Sequence, residues 1–558
     1  MIEDELQAWF RSGLEAAASE LGLNGELPEP EVMEPRQKDH GDFATNIALA
    51  VASGIAASPR TVAEAIVAAL PPATFVRKVE IAGPGFINVF LTEGWLHDVL
   101  RRIAAEGTSY GTAPRAQQRV QVEFVSANPT GPLHVGHARN AVLGDTIARL
   151  LDAAGWVVER EYYYNDAGGQ MDRFGASVDA SYLTHLGRPT DVPEDGYHGA
   201  YIDDLGRELA EREPSWAALP DEERLAVVRA AAAERVLGWI DETLARFNVR
   251  FDSYVSEAAL ERKGEIAQAI ERLRAAGLAY EAEGAVWFRS TGFGDDKDRV
   301  LVRSDGRHTY FGADCAYVID KFARGFDHLI YVWGADHHGD IARVRGAAQG
   351  LGFDPEAVEI VIYQWVSFLR GGEPVPMSKR AGTFVSLDEL IDEVGTDAAR
   401  FHLLLFGNDH TMRFDIEAVK RRSMDNPVYY VQYGHARIAS ILRTARDAGV
   451  TLRPIDEVDV SILVEPAEIE LLKALADVPA LIAKAATLRA PHRVAHASQD
   501  LAARFHRFYT ECRVVSDDAA RTQARLWLCR ASGTVLANLL GILGVSAPER
   551  MDRVEGST

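Results

Sequence analysis

The stretch from Val120 to His137, VQVEFVSANPTGPLHVGH, constrains this chain more than any other. Its opening, Val120 to Val125, alternates along its length and predicts a buried strand. Ser126 to Leu133 follows as a turn-rich loop carrying Asn128-Pro129 and Gly131-Pro132. His134-Val-Gly-His137 then opens a helix with Ala138, Val142, Ile147 and Leu151 on its inner face. Strand, loop and helix N-terminus in that order suit a phosphate, because free backbone N–H groups and the positive end of the helix dipole point at the ligand. Gly136 lets a ligand approach the backbone closely. His134 and His137 lie one helical turn apart and can both face a bound nucleotide. Taken alone, a histidine pair at this spacing equally suits capping, core packing or metal binding.

At 558 residues the chain has room for roughly three to four domains, each with its own core. No apolar run approaches the roughly 20 residues of a membrane-spanning helix, so no membrane partner is expected. The acidic start, MIEDEL, lacks the layout of a secretory signal. Cys315, Cys512 and Cys529 form no Cys-x-x-Cys pair, which suits a reducing cytoplasm and argues against a zinc site. A net charge of −23 runs counter to a polyanionic partner. Global charge governs solubility and steering, however, and a local basic face can still grip phosphates. Positive charge clusters at Lys420, Arg421, Arg422, Arg437, Arg443 and Arg446, and again between Arg489 and Arg530. The competing reading of these clusters is solvated helix faces paired with acids.

Residues 1–115 read as a small α+β domain, helical through Leu6 to Leu21 and Val62 to Leu70, strand-like at Val76–Ile81 and Phe86–Leu91. Thr112 to Gln118 is the expected linker. An α/β nucleotide fold then spans 119–390, with further strands at Val157–Tyr164, Ala285–Phe288, Val300–Arg303, Leu329–Val332 and Val358–Ile362. A mostly helical, acidic stretch, about 175–295, is expected to interrupt it as an insertion. Residues 391–558 read as an all-helical bundle.

The longer string SANPTGPLHVGHARNAVLGD resembles the His-x-Gly-His signature of class I aminoacyl-tRNA synthetases, and within them the arginyl-tRNA synthetase family. The resemblance implies a Rossmann-like catalytic domain. The strings GDFATN, ending at Asn46, and GPGFIN, ending at Asn88, resemble that family's appended N-terminal domain, which touches the outer corner of tRNA. The segment from Gly371 to Leu390 resembles the second signature, a Lys-Met-Ser-Lys-Ser loop, here Pro376-Met-Ser-Lys-Arg380. Pro376 stands where the family has its first lysine and Arg380 where it has the last serine. Such a loop must offer positive charge to the β- and γ-phosphates while pyrophosphate leaves, and Lys379 and Arg380 supply it. Met377 and Ser378 would help fold the loop over the nucleotide. Without the upstream HVGH the same residues read as a surface turn. The resemblance thus implies a catalytic set of His134, Gly136, His137 and Lys379. Pro132, Met377, Ser378 and Arg380 join these residues around ATP.

A guanidinium calls for planar carboxylates and an aromatic face. Tyr310 and Asp314, four apart in GRHTYFGADCAY, lie on one side of a helix, and the matching tyrosine and aspartate of the family contact arginine. Glu257 offers a further carboxylate by a looser match. Ser126, Ala127 and Asn128 match positions that hold the substrate's α-amino and carboxylate groups; His137 and His337 complete the implied arginine set. Asp314 also reads as a helix cap or buried ion-pair partner. Asp336, His337, His338 and Asp340 also read as metal ligands, although adjacent histidines converge poorly; no resident metal is expected.

Tyr429, Tyr433 and Arg437, in a long helical region resembling the family's anticodon-reading bundle, suit stacking on loop bases and contact with phosphates. Core packing is the alternative. Taken whole, the resemblance implies ATP-dependent ligation of L-arginine to tRNA through an arginyl-adenylate. ATP enters as its Mg2+ complex, tRNA is the macromolecular partner, and a monomer is the family expectation. Three competitors stay open. A class I synthetase for another amino acid would change Tyr310 and Asp314. A different nucleotidyltransferase would lack the helical C-terminal half. A non-catalytic RNA-binding relative would carry a damaged nucleotide site, towards which only Pro376 points.

Overall fold

The computed structural model of the chain describes residues 2–23, 25–33, 35, 37–375, 377–378 and 383–551. The chain folds as two compact units. One joins Met1–Gly111 to Arg437–Ala480 and Asp500–Leu536; the other joins Thr112–Ala436 to Leu481–Gln499 and Ala537–Thr558. The region expected as one helical bundle over 391–558 is therefore shared between both units.

In the first unit the helix Ile2–Ala17 buries Leu6, Trp9, Phe10 and Leu14, a 3.6-residue stripe. It packs in one core with residues of a four-stranded antiparallel sheet. The strands are β1 (Val32–Met33), β2 (Phe43–Thr45), β3 (Val76–Ala82) and β4 (Phe86–Leu91), in the order β1-β2-β4-β3. The Tyr110 hydroxyl donates to the Leu475 carbonyl at 2.8 Å, fastening the end of the N-terminal segment to the helix Pro466–Ala476. Arg525 and Glu468 form a buried pair at 2.7 Å in the same unit.

The second unit is built on a five-stranded parallel sheet. Its strands are β5 (Arg119–Glu123), β6 (Val157–Tyr164), β7 (Ser253–Ser256) and, after the antiparallel set β8 (Ala279–Ala282), β9 (Ala285–Phe288) and β10 (Arg299–Val302), β11 (His328–Gly334) and β12 (Val358–Tyr363). The order is β12-β11-β5-β6-β7. Val120, Val122, Leu329 and Ile330 are wholly buried, as expected where helices cover both faces of a parallel sheet. The chain winds outward from β5 through β6 to β7, and from β11 to β12 in the opposite direction. The crevice at the carboxyl ends of β5 and β11 is thus the topological switch point, where open α/β sheets bind ligands.

Two stretches depart from the sequence expectation. The segment about 175–295 contains β7, which pairs with β6 in the main sheet, so it is not wholly outside the fold. Beyond residue 390 lies a further strand. After β13 (Val366–Arg370), β14 (Glu373–Pro374), β15 (Met377–Ser378) and β16 (Thr383–Phe384) comes β17 (Met412–Asp415), which pairs in parallel with β13. Short strands with polar flanks leave too few residues for periodicity to register.

The helix Ala138–Ala153 follows β5. Its expected inner face, Ala138, Val142, Ile147 and Leu151, is buried, but so is nearly every other residue except Arg149 and Asp152. Gly144 allows this, since a Cβ there would lie 2.2 Å from the Phe124 ring. Asp145 of the same helix pairs with the fully buried Arg400 at 2.5 Å, whose guanidinium also donates to the Leu543 and Phe247 carbonyls at 3.0 and 2.9 Å. Replacing Gly144→Val drives side-chain atoms into Phe124. We expect a loss of roughly 2 kcal/mol or more from overpacking, read as a lower urea midpoint than wild type; an unchanged midpoint would refute this contact as a packing constraint.

Candidate active site

The strand β5 stops at Glu123, short of the expected Val125, and the chain turns sharply. Val125 and Ser126 adopt positive φ angles of 64° and 44°, a conformation that costs a β-branched residue about 1–3 kcal/mol unless its surroundings impose it. Here they do. The Val125 N–H donates to Asn140 Oδ1 at 2.5 Å, and Asn140 Nδ2 donates to the Val332 carbonyl near the end of β11 at 2.9 Å. The Ser126 hydroxyl donates to Glu123 Oε1 at 3.1 Å and accepts from the Tyr163 N–H at 3.3 Å. The Ala127 N–H donates to the Tyr162 hydroxyl at 3.1 Å, which donates back to the Ala127 carbonyl at 2.7 Å. Ala127 is thus buried and held by the protein, an anchor of the turn rather than an exposed contact. Asn128 Oδ1 accepts from the Asn165 N–H at 3.0 Å and its Nδ2 donates to Gln170 at 2.7 Å.

The two histidines of HVGH cap their own helix. Gly136 N–H donates to His134 Nδ1 at 3.0 Å, and His134 N–H donates to His137 Nδ1 at 3.2 Å. Their rings lie 4.0 Å apart, tilted by 38°. These N–H groups therefore serve the histidine rings, not a ligand directly as the sequence suggests. With Nδ1 accepting from Gly136, the His134 ring carries its proton on Nε2, the atom suited to donate towards a phosphate, while His137 Nδ1 lies 3.2 Å from both the N–H and the carbonyl of His134. Arg139 follows them, buried and donating to the carbonyls of Gln364, His410 and Gly407 at 2.6, 2.8 and 2.9 Å.

Backbone bonds join the two signatures. Val135 N–H donates to the Val385 carbonyl at 3.1 Å and Leu387 N–H donates to the Leu133 carbonyl at 2.9 Å, on either side of Ser386. Ser386 caps the helix Leu387–Val394 reciprocally with Glu389. Met377–Ser378 pair antiparallel with Thr383–Phe384. Pro376, Lys379 and Arg380 lie outside the described residues. Pro132 lies in the loop immediately before these bonds.

The carboxylates gather at the same end of the sheet. Tyr310 begins the helix Tyr310–Ala323 and is 60% exposed; Asp314 sits one turn further in, half-buried. Thr309, not Asp314, caps that helix, and among the described residues Asp314 has no ion-pair partner, so both structural alternatives for it fail. Burial, then the fields of Glu123, Glu257 and Asp340, pushes the Asp314 carboxyl up to about 7, with Arg343 acting the other way. Glu257, at the end of β7, is also raised by burial, although its Oε2 accepts from the Tyr163 hydroxyl at 2.8 Å. Tyr163 stacks on Tyr317 with centroids 4.7 Å apart. His337 is half-exposed and lies between Asp340, at 3.1 Å from its Nδ1, and Asp336, at 3.5 Å from its Nε2. Among the described residues no group of three or more His, Cys, Asp or Glu side chains could hold a metal ion.

Glu123 escaped the sequence reading. It pairs with the fully buried Lys321 at 2.5 Å. Asn140, Tyr163 and Arg139 were likewise missed, because each acts through a partner distant in sequence. The only sequence signal was a single acidic residue in an otherwise apolar strand and a lysine within an apolar-periodic helix.

The proposed tRNA contacts separate. Tyr429 is 7% exposed and stacks on the half-buried Tyr433 with centroids 6.2 Å apart, so the packing alternative holds for Tyr429. Arg437, in the first unit, lies over the exposed ring of Tyr509 at 5.2 Å. Several other arginines of the clusters pair with acids: Arg489 with Glu359, Arg504 with Glu470 and Asp500, Arg507 with Glu511.

Residues 99–417 match the family described as tRNA synthetases class I (R), catalytic domain; residues 431–551 match the DALR anticodon binding domain, and 5–91 the arginyl tRNA synthetase N terminal domain. The chain is 47% identical over 557 residues to the arginine–tRNA ligase of Heliobacterium modesticaldum, covering 99% of each. It is 49% identical over 549 residues to that of Desulforudis audaxviator, covering 97% of each. The solved arginyl-tRNA synthetase of Thermus thermophilus shares the fold with a TM-score of 0.75 at 24% identity, over 99% of this chain and all of that one. With a catalytic-domain match across more than half its length and relatives near one-half identical from end to end, the chain belongs to the arginine–tRNA ligase family of class I aminoacyl-tRNA synthetases.

Proposed function

We propose that this chain is an enzyme that ligates L-arginine to its cognate tRNA at the expense of ATP, through an arginyl-adenylate. One observation carries the choice of amino acid. Asp314 is held partly protonated by burial and by the fields of Glu123, Glu257 and Asp340, which outweigh that of Arg343, and burial raises Glu257 as well. A guanidinium supplies the missing charge and the planar donors two carboxylates accept.

Asp314 and Glu257 hold the guanidinium, with Tyr310 and His337 at the rim. Ser126 and Asn128, on the fastened turn, hold the α-amino and carboxylate groups. The carboxylate oxygen attacks the ATP α-phosphorus in line; the new O–P bond forms as the bond to the β-phosphate oxygen breaks, and pyrophosphate leaves as its Mg2+ complex. His134, from Nε2, and His137 donate to the developing charge, beside Pro132 and Gly136. Lys379 and Arg380, carried with Met377 and Ser378, bind the departing phosphates. A ribose hydroxyl of the terminal tRNA adenosine, the 2′-hydroxyl in the class I pattern, then attacks the acyl carbon and AMP leaves. The catalysis is positioning and electrostatics, with no covalent enzyme intermediate. Tyr433 and Arg437 remain the assignment for tRNA contact, as a monomeric enzyme would use them in the cytoplasm.

Charging of total tRNA with labelled arginine, ATP and Mg2+ tests this directly, with lysine, glutamate and cysteine as controls. Arginine alone is expected to be charged; tRNA binding without charging of any amino acid would sink the enzyme reading. Lys379→Ala is expected to lower kcat by roughly two orders of magnitude with little change in arginine KM, as for removal of a group that acts on transition-state charge.

Asp314 makes the activity depend on pH. Its proton must leave before the guanidinium can pair, so arginine KM is expected to rise about tenfold per unit as pH falls below about 7, while ATP KM stays flat. The folded chain keeps this proton to about 7, whereas the unfolded chain releases it near its ordinary value of 3.8; stability therefore falls as pH rises between them. Asp314→Asn should abolish both slopes, and a slope that survives the substitution assigns it to another group.

A further inference from the structure

The helix Tyr310–Ala323 carries a stripe at helical spacing: Tyr310, Asp314, Tyr317 and Lys321. The stripe runs from an exposed tyrosine to a lysine with no exposure at all. Lys321 donates to Glu123 Oε2 at 2.5 Å, and its ammonium lies 3.8 Å from the Tyr331 ring centroid and 4.0 Å from that of Tyr317. One carboxylate and two aromatic faces thus surround a charge that burial alone would push towards neutrality, an effect Glu123 and Glu161 oppose. The other oxygen of Glu123 accepts from the Ser126 hydroxyl. Lys321, Glu123 and Ser126 form one chain of charge-assisted bonds ending on the left-handed turn.

We propose that Lys321 is a positioning residue for the amino-acid pocket, which through Glu123 fixes Ser126 and the turn that presents Asn128. The inference rests on the arginine-ligating function proposed above. A buried ion pair is a poor source of stability, because desolvation cancels most of its attraction. A lysine serving the core alone would need no carboxylate whose second oxygen reaches a functional loop. Tyr317 extends the same logic sideways: it stacks on Tyr163, whose hydroxyl holds Glu257, and its own hydroxyl donates to Glu161. Glu161 is held below its ordinary range because Arg324, Lys321 and Tyr317 outweigh the effect of its burial. The pocket wall is thereby fastened at two points, one through each glutamate strand position of β5 and β6.

The test uses the full-length protein with arginine, ATP and total tRNA. Lys321→Met, Ser126→Ala and the double variant are compared by arginine KM, ATP KM, kcat, and thermal unfolding. Lys321→Met is expected to raise arginine KM about tenfold or more, leaving ATP KM within about twofold, the split that a pocket-specific loss of a charge-assisted bond produces. Ser126→Ala is expected to act in the same direction. The double variant should cost less than the product of the two, because both substitutions break one chain of bonds. A natively folded Lys321→Met with unaltered arginine KM overturns the proposal, as do fully multiplicative effects. Should Lys321→Met fail to fold, Ser126→Ala decides: an arginine KM unchanged in that variant also overturns it. A wild type that charges tRNA with a different amino acid overturns the substrate reading instead, and the KM split for that amino acid still decides the role of Lys321.

Discussion

The Asn140 side chain spans the gap on which the site depends. Its oxygen takes the Val125 N–H and its nitrogen meets the Val332 carbonyl, so one buried amide ties the turn after β5 to the end of β11. These strands are neighbours where the winding direction of the sheet reverses, and nothing in their own ladder extends to that point. The tie makes a left-handed valine tolerable. The turn is then secured again by Tyr162 on Ala127, by Glu123 on Ser126 and by Asn165 on Asn128. The turn proposed for the amino acid is thus held by side chains from β5, β6 and the helix between them, and by the backbone just after β6.

Charge is distributed with a similar economy. Most buried cations in this unit are committed to structure: Arg139 to three carbonyls, Arg400 to Asp145 and three carbonyls, Lys321 to Glu123. Asp314 receives none of them. In a chain of net charge −23 an acidic pocket is unremarkable by composition; what distinguishes this one is that neighbouring carboxylates compete for ionisation beside cations already in use. Carboxylates held in this state are complementary to a cation, which is why the arginine reading is proposed for them.

Four of the five strands of the main sheet were legible because β-branched and aromatic residues recur in them between turns: Val157–Tyr164 was read with the boundaries it has, and β12 to within one residue. β7 and β17 were not legible. Four residues such as Ser253–Ser256 carry no periodicity, and their strand character comes from pairing with β6 or β13. Tyr310 and Asp314 were found from helical spacing and resemblance, whereas Glu123 and Lys321 were overlooked because they are 198 residues apart and only folding makes them a pair. For Tyr429 the sequence left stacking on bases and core packing both open, and helical phase turns the ring inward.

Sequence alone determined the strand-loop-helix carrying HVGH, the spacing of Tyr310 and Asp314 on one helix face, and the membership of a family whose match extends along nearly the whole chain. These are local or cumulative properties, carried by neighbouring residues or by many weak agreements. Tertiary structure alone decided that Val135 and Leu133 bond across to Val385 and Leu387, and that Asp314, without an ion-pair partner among the described residues, lies among acids. Each of those depends on which atoms meet across large sequence separations and on how much water remains between them, and neither quantity is encoded at any single position.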